Sequence, residues 1–228
     1  MRISYDFHIH SALSPCGDEE ATPCNIVAMA SVKGLDAIAI SDHNAIGNVK
    51  TAMECGEAFG VTVLPAVEVQ TAEDIHVLAL FPDYEKLEKF FSTLNFPEIE
   101  NKPDIFGNQY FYDSDNEITG EETRYLLSGA EEDIYTVCRR IKEYGGKAVP
   151  AHIDREANGI LAILGEIPPD LSFDALEFSP YADETIKDKY HIFRRLTDSD
   201  AHRPTDISDP VNFLEAEENS VEAVFAAI

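Results

Sequence analysis

Close to its N-terminus the chain reads Asp6-Phe7-His8-Ile9-His10. Side chains two apart in an extended strand share a face. His8 and His10 are therefore expected to present two imidazoles together, with Phe7 and Ile9 turned to a core. Neutral imidazole is the commonest protein metal ligand, and two of them on one stiff strand make half of a metal site. The plain alternative is a hydrogen-bonded or solvent-facing pair, and the remaining histidines bear on the choice. Seven occur, at 8, 10, 43, 76, 152, 191 and 202. Five of them (His8, His10, His43, His152 and His202) fall within or just after the C-terminal end of a predicted strand, where α/β barrels gather their reactive side chains. His76 begins an apolar strand segment, and only His191 lies in a helical or loop setting.

Two acids join this set. Asp200-Ala201-His202 repeats the i, i+2 spacing with a carboxylate in place of one imidazole. Glu68 closes Ala66-Val67-Glu68, where an apolar run would be expected to continue, and a buried carboxylate is costly unless paired or bound to metal. Six histidines and two carboxylates are too many for one tetrahedral zinc ion. They suit two or three divalent ions sharing a bridging carboxylate, and mixed imidazole and carboxylate donors favour zinc, manganese or iron over calcium or magnesium. Arg155, three residues beyond His152, has a fork that matches phosphate oxygens; a surface pair with Asp154 or Glu156 is the alternative. His191, a metal-bound water or an acid such as Asp18 could donate a proton to a leaving group; for His191 a place at the surface is the alternative.

The elements that must carry these residues alternate. Strands are predicted over 3–9, 35–40, 61–67, 75–81, 147–151, 173–178 and 196–199. Helices are predicted from the Thr22 cap to Gly34, over 45–59, 83–94 and 131–144, and over 220–228 behind the candidate N-cap Ser220. Residues 95–120 lack a period and read as an inserted flap, a length of loop that is usually functional. The Phe106–Tyr112 aromatics within it are expected to form a small core, with stacking on a nucleobase as the alternative. The alternation implies an α/β fold with a parallel sheet closed, or nearly closed, into a barrel. At 228 residues a distorted seven-stranded barrel fits better than an eight-stranded one, and no GxGxxG supports a dinucleotide fold.

Seventeen basic residues stand against 43 acidic ones, a formal net charge of −26. That balance argues against wrapping a long nucleic-acid backbone, and an anionic substrate would need local positive charge, which bound cations could supply. No apolar run is long enough to span a bilayer and no secretion signal opens the sequence, so a cytoplasmic chain with no membrane partner is expected. Cys16, Cys24, Cys55 and Cys138 form no CxxC pair; Cys24, Cys55 and Cys138 are expected to be reduced residues in or beside helices, and Cys16 is set apart by its position. No Gly-x-Ser-x-Gly elbow or P-loop is present.

Taken in order, the HxH of His8 and His10, Ser41-Asp42-His43-Asn44, Glu68, His76, Ala151-His152 and Ser199-Asp200-Ala201-His202 resemble the motifs of the PHP (polymerase and histidinol phosphatase) family. The resemblance spans almost the whole chain. It implies a single barrel domain over 1–228, distorted and seven-stranded, (β/α)7 and TIM-like, with an inserted region around 95–130. It further implies a trinuclear metal centre and hydrolysis of phosphoesters, for which a small phosphorylated substrate is expected. Carried over, His8, His10, Glu68 and Asp200 would hold one ion. Glu68 would bridge to an ion held by His76 and His152, with His43 and His202 on the third. That third ion usually has a further His or Asp at positions occupied here by Pro15 and Cys16. Asp18 is the first choice to replace it, with Cys16, Glu19 and Glu20 as alternatives. Asp42 is expected to orient an imidazole rather than ligate. Two other readings remain open: a metal-dependent hydrolase of C–N bonds, and a non-catalytic metal-binding module.

Overall fold

A computed structural model describes residues 1–228. Strand β1 (Arg2–Ile9) leads to α1 (Pro23–Lys33), β2 (Ala37–Ile40), α2 (Val49–Phe59) and β3 (Thr62–Gln70), and these three strands pair in parallel. Helix α1 begins where the cap chemistry predicts. Thr22 accepts from the Asn25 N–H at 3.3 Å, Pro23 occupies the first turn, and Gly34 ends the helix in the left-handed region at φ 84°. Helix α2 starts later than expected, after a turn at 47–48.

The next strand, β4 (His76–Leu80), departs from the parallel expectation. It folds back as a hairpin on β3 and pairs antiparallel with it, Gln70 opposite His76 and Glu68 opposite Leu78. Helix α3 (Tyr84–Phe91) and the inserted region follow, the latter holding α4 (Pro103–Phe106) and the hairpin β5 (Tyr110–Tyr112) with β6 (Ile118–Glu121). Helix α5 (Ile134–Glu143), β7 (Lys147–Pro150), α6 (Ile160–Leu164), β8 (Leu176–Phe178), α7 (Glu184–Lys189), β9 (Arg195–Thr197), β10 (Phe213–Glu215) and α8 (Val221–Ala227) complete the chain.

One curled sheet of six strands runs in the order β10-β1-β2-β3-β4-β7, and β8 and β9 form a separate parallel pair. The sheet is a curled half-barrel, and it is not wholly parallel as the alternation predicts. The β3–β4 connection is too short for a crossover, so β4 must reverse, and β10 adds antiparallel to β1. A few hydrogen bonds, not ladders, tie the small pair to the large sheet: Ile153 N–H to the Glu177 carbonyl at 2.9 Å and Asp174 N–H to the Ala148 carbonyl at 3.1 Å on one side, His10 N–H to the Ala201 carbonyl at 2.8 Å and Ala201 N–H to the His8 carbonyl at 3.3 Å on the other.

Two cores sandwich the first three strands. Phe7, Ala37, Ala39, Leu64 and Ala66 pack inside the curl above α8, while Ile9, Ile38, Ile40 and Val63 pack outside against α1 and α2. Phe7 and Ile9 thus face different cores, contrary to simple alternation. A register shift between Asp6 and Ile9 breaks the period and re-aims the strand end, as bulges do beside functional sites. Cys24 and Cys55, expected as separate thiols, are paired across the packed faces of α1 and α2 with Cα atoms 5.4 Å apart, a span that a disulfide can bridge.

The inserted region seats on the rim of the sheet. Asn48 receives the Tyr112 N–H at 3.1 Å, Arg124 donates to the Asn44 carbonyl at 2.7 Å, and Leu13, Ala45, Leu126 and Phe111 form a small core. Phe106 lies against Tyr125 with ring centroids 4.3 Å apart. A Cβ on Gly47 would run into the Phe111 ring. Gly47→Ala is therefore expected to cost about 1–3 kcal/mol by overpacking, a melting-point loss of roughly 3–10 °C. Cleavage within 107–126 by limited proteolysis should accelerate with it, and an unchanged melt and cleavage pattern would contradict this seating. No helix is long and apolar enough to cross a membrane.

Candidate metal centre

The fold brings eight of the singled-out residues to one rim. The parallel strands deliver His8, His10, His43 and Glu68 at or beyond their C-terminal ends. The reversed strand β4 delivers His76 at its N-terminal end, which the hairpin places at the same rim. His152 follows β7, and Asp200 and His202 follow β9. His152 (φ 30°) and Asp200 (φ 52°) both adopt left-handed backbone, a conformation that costs non-glycine residues free energy and clusters at functional sites.

Glu68, fully buried, is the hub. One oxygen lies 2.8 Å from His76 Nδ1, 3.2 Å from His8 Nε2 and 3.3 Å from His152 Nε2; the other lies 2.6 Å from His43 Nδ1 and 3.6 Å from His10 Nε2. Asp200 Oδ1 lies 3.0 Å from His10 Nε2 and 3.3 Å from His8 Nε2, and its other oxygen pairs with Arg155. Three groups of donor atoms are compact enough for one ion each: His8, His10 and Asp200; His43, Glu68 and His76; His10, His43 and His202.

Hydrogen bonds on the outer ring nitrogens settle which nitrogens face inward. His8 Nδ1 lies 2.9 and 3.1 Å from the Glu177 carboxylate and must donate to it. His10 Nδ1 donates to Ser14 Oγ at 3.2 Å, which itself donates to Asp42 at 2.7 Å. Both Nε2 atoms, in the neutral tautomer, then carry bare lone pairs, yet they stand 3.1 Å apart. Two lone pairs at that distance repel unless a proton or a cation lies between them. About 3.3 Å is the edge of a tetrahedron of zinc–nitrogen bonds, so the spacing fits two ligands of one ion. His152 Nδ1 is also buried without a hydrogen-bond partner, which a buried polar atom rarely tolerates. The donor set fits divalent cations.

Electrostatics agrees with that fit. Burial opposes a charge on His8, but Glu177, Asp200 and Glu68 overcome it and hold its pKa well above that of free imidazole. Burial likewise opposes charge on His43, and Glu68 and Cys16 push it up to about 10. Burial works against the charged Glu68, yet His76, His8 and His43 hold it well below the usual carboxylate range. His10, buried beside His43, is depressed. Protons thus stand in for cations among these anions, and metal binding would displace them.

A cavity of about 360 Å³ opens over the cluster, lined by Cys16, His43, His76, His152, Arg155, Asp200 and His202 with Gln70 and Leu127. Asp18 and His191 do not line it. The Asp18 N–H is tied to the His202 carbonyl at 2.8 Å, and its carboxylate accepts from Glu20 N–H at 2.9 Å and faces Arg203 at 3.6 Å. His191 is exposed, its Nδ1 2.8 Å from the Asp188 carbonyl at the end of α7. Asp154 bonds Ser179 rather than Arg155. Glu177 was missed by sequence reasoning, although its signal is that of Glu68: a lone acid in the apolar strand Leu176-Glu177-Phe178. Glu177→Gln is expected to weaken metal binding about 10–100-fold, since such partners orient the ligand and raise its basicity. Chelator competition measures this, and an unchanged affinity would rule the role out.

The comparisons with known proteins follow the same lines. The sequence pattern of the PHP domain matches residues 6–155. An uncharacterized protein of Methanocaldococcus jannaschii is 36% identical over 85 residues, covering 33% of this chain and 48% of its own. The lesion-specific endonuclease Q of Pyrococcus furiosus superposes with a TM-score of 0.74 at 19% identity, over 100% of this chain and 56% of that one. A Bifidobacterium adolescentis structure described as a metal-dependent phosphoesterase gives 0.59 at 20% identity, over 87% of each chain. The chain spans about half the length of the archaeal relative and of the endonuclease. With the PHP domain's sequence pattern matched over residues 6–155, most of the chain, the chain belongs to the PHP domain family.

Proposed function

We propose that this rim binds two or three divalent ions (zinc, manganese or iron) and hydrolyses phosphoesters, with a small phosphomonoester such as a nucleotide or sugar phosphate as substrate. His8, His10, Asp200 and Glu68 would hold one ion, Glu68 with His76 and His152 a second, and His43 with His202 a third. The observation that carries the reading is the convergence of His8 Nε2 and His10 Nε2, 3.1 Å apart, on the Glu68 hub. Bound cations would activate water for attack at phosphorus and neutralise the developing charge.

The chain's own side chains do the rest. Glu177 and Ser14 hold the two imidazoles of β1 with their lone pairs inward. Arg155 reaches the cavity edge through Asp200; its guanidinium has five N–H donors, so it can keep that partner and still grip a phosphate oxygen. Neither Asp18 nor His191 lines the cavity, so the leaving oxygen would take its proton from water. About 360 Å³ suits a phosphate with a compact leaving group. A net charge of −26, with Arg155 the one basic residue in the lining besides histidine, disfavours a long polyanion.

A second reading, cleavage of a nucleic-acid phosphodiester, draws on the likeness to endonuclease Q. One assay separates the two. Protein stripped by chelator and reloaded with manganese or zinc is offered an aryl phosphate, a panel of nucleotides and sugar phosphates, a bis-aryl phosphate and labelled oligonucleotides. Loss of aryl phosphate hydrolysis on chelation and recovery on reloading, with monoesters preferred, is the expected result. Preference for oligonucleotides would shift the assignment to the second reading, and a metal-replete protein inert on every ester would overturn both.

A further inference from the structure

A second and larger cavity, of about 960 Å³, opens at the same rim beside the one over the metal cluster. Arg155 belongs to both linings, and the neighbours Ser199 and Asp200 line the second and the first. The walls come from 179–181 after β8, from 197–199 at the end of β9, and from 206–212 ahead of β10. Bonds between segments hold these walls in place. Asp6, on β1, accepts the Ser199 N–H at 3.0 Å and the Ser208 N–H at 2.9 Å, Asn212 donates to the Thr197 carbonyl at 2.8 Å, and Asp154 accepts the Ser179 N–H at 2.8 Å.

Two polar atoms of the lining residues have no partner. Asp198 is 1% exposed; one carboxylate oxygen accepts the Phe7 N–H at 2.6 Å, and the other is buried without a hydrogen bond. The Ser208 hydroxyl is buried without one as well. Buried polar atoms are rarely left so, and an alcohol O–H, donor and acceptor at once, satisfies both. The mouth has a different character. Tyr181 is 94% exposed and Val211 68% exposed, an aromatic and an aliphatic face on which the C–H side of a ring can rest. Charge selects against a second anion. Asp206 and Asp209 are exposed in the lining, while its two cations are already paired, Arg155 with Asp200 and Lys187 with Glu184 at 2.8 Å.

We infer that this cavity is the leaving-group subsite beside the metal centre, and that it takes an uncharged, polyhydroxylated ring: the sugar of a sugar phosphate or the ribose of a nucleotide. The inference rests on the phosphoesterase reading above. Arg155 holds the phosphate where the two cavities meet, and the ring lies against Asp198 and Ser208 with its apolar face on Tyr181.

Two measurements test this, one of them without turnover. Zinc-treated wild-type protein is titrated with unphosphorylated ribose, glucose and a ribonucleoside, with butanol as control, while its amide signals are followed by NMR. Saturable shifts at Ser179, Thr197, Ser199, Ser208 and Asn212 with a ring polyol, and none with butanol, are expected. In steady-state assays ribose or glucose phosphate, or a ribonucleoside monophosphate, is expected to exceed butyl phosphate at least about tenfold in kcat/KM. Ser208→Ala and Tyr181→Ala are each expected to lower that ratio about 3–10-fold, the size of one lost hydroxyl bond or ring contact. Whichever of sugar phosphate and nucleotide is preferred identifies the source of the ring. No shift at these amides, or a ratio untouched by both substitutions, would overturn the subsite. Turnover without preference for the hydroxylated esters would overturn it with the phosphoesterase reading intact. Sugar-dependent shifts in a protein inert on every ester would overturn the phosphoesterase reading and the leaving-group role together.

Discussion

Glu68→Gln is expected to lower phosphoester hydrolysis by at least about a thousandfold, a loss of roughly 4 kcal/mol of transition-state stabilisation, and to reduce the metal content per chain. The substitution keeps the volume of a side chain that is fully buried, so packing is little changed. It removes the one charge that touches His8, His10, His43, His76 and His152 together. It also places an amide N–H₂ toward ring nitrogens whose lone pairs face inward, which no cation can bridge. Elemental analysis and steady-state rates on the same preparation test this. A variant with wild-type metal content and rate would show that Glu68 is structural.

Metal removal is expected to lower the melting temperature, and the loss should grow with pH. Ions at a thousand times their dissociation constant stabilise by about 4 kcal/mol per site, or roughly 8–16 °C for a chain this size. The sign of the pH effect follows from His8 and His43. In the metal-free protein both are raised, His43 to about 10, by carboxylates (and for His43 also Cys16) that overcome burial. Their contribution to metal-free stability is fully present below the free imidazole value of about 6.5. It is lost as pH climbs toward the folded value. Metal binding must displace those protons, so affinity rises over the same range. Between about pH 6.5 and 9 the gap between loaded and stripped melts should therefore widen, and binding should release protons measurable in weakly buffered solution. A gap that narrows with pH would contradict the electrostatic account.

How much of this was legible in the sequence depends on the kind of information each residue carries. His8, His10, His43, Glu68, His152, Asp200 and His202 could be named because strand ends and an acid in an apolar run are local signals. His76 fitted no rule for parallel strands; only the hairpin, a pairing choice between segments, brings the start of β4 to the rim. The register shift in β1 that sends Phe7 and Ile9 to different cores is a tertiary adjustment which period-2 reasoning cannot contain. Glu177 carried the same local signal as Glu68 and was overlooked because no histidine stood near it in sequence. Asp18 and Cys16 differ by two positions in one turn, and which points inward is decided by the bonds of Gly17 and Asp18 to Ser14 and His202, partners that spacing alone does not reveal. The strands divide into six plus two because β8 and β9 meet the large sheet through a few flanking hydrogen bonds and not through ladders.

The most direct measurement is anomalous diffraction from a crystal of the zinc- or manganese-loaded protein, collected on either side of the metal absorption edge. The account predicts at least two peaks within bonding distance of Glu68, one of them between His8 Nε2, His10 Nε2 and Asp200. Loaded crystals with no peak at this rim, or with ions held only elsewhere, would contradict it.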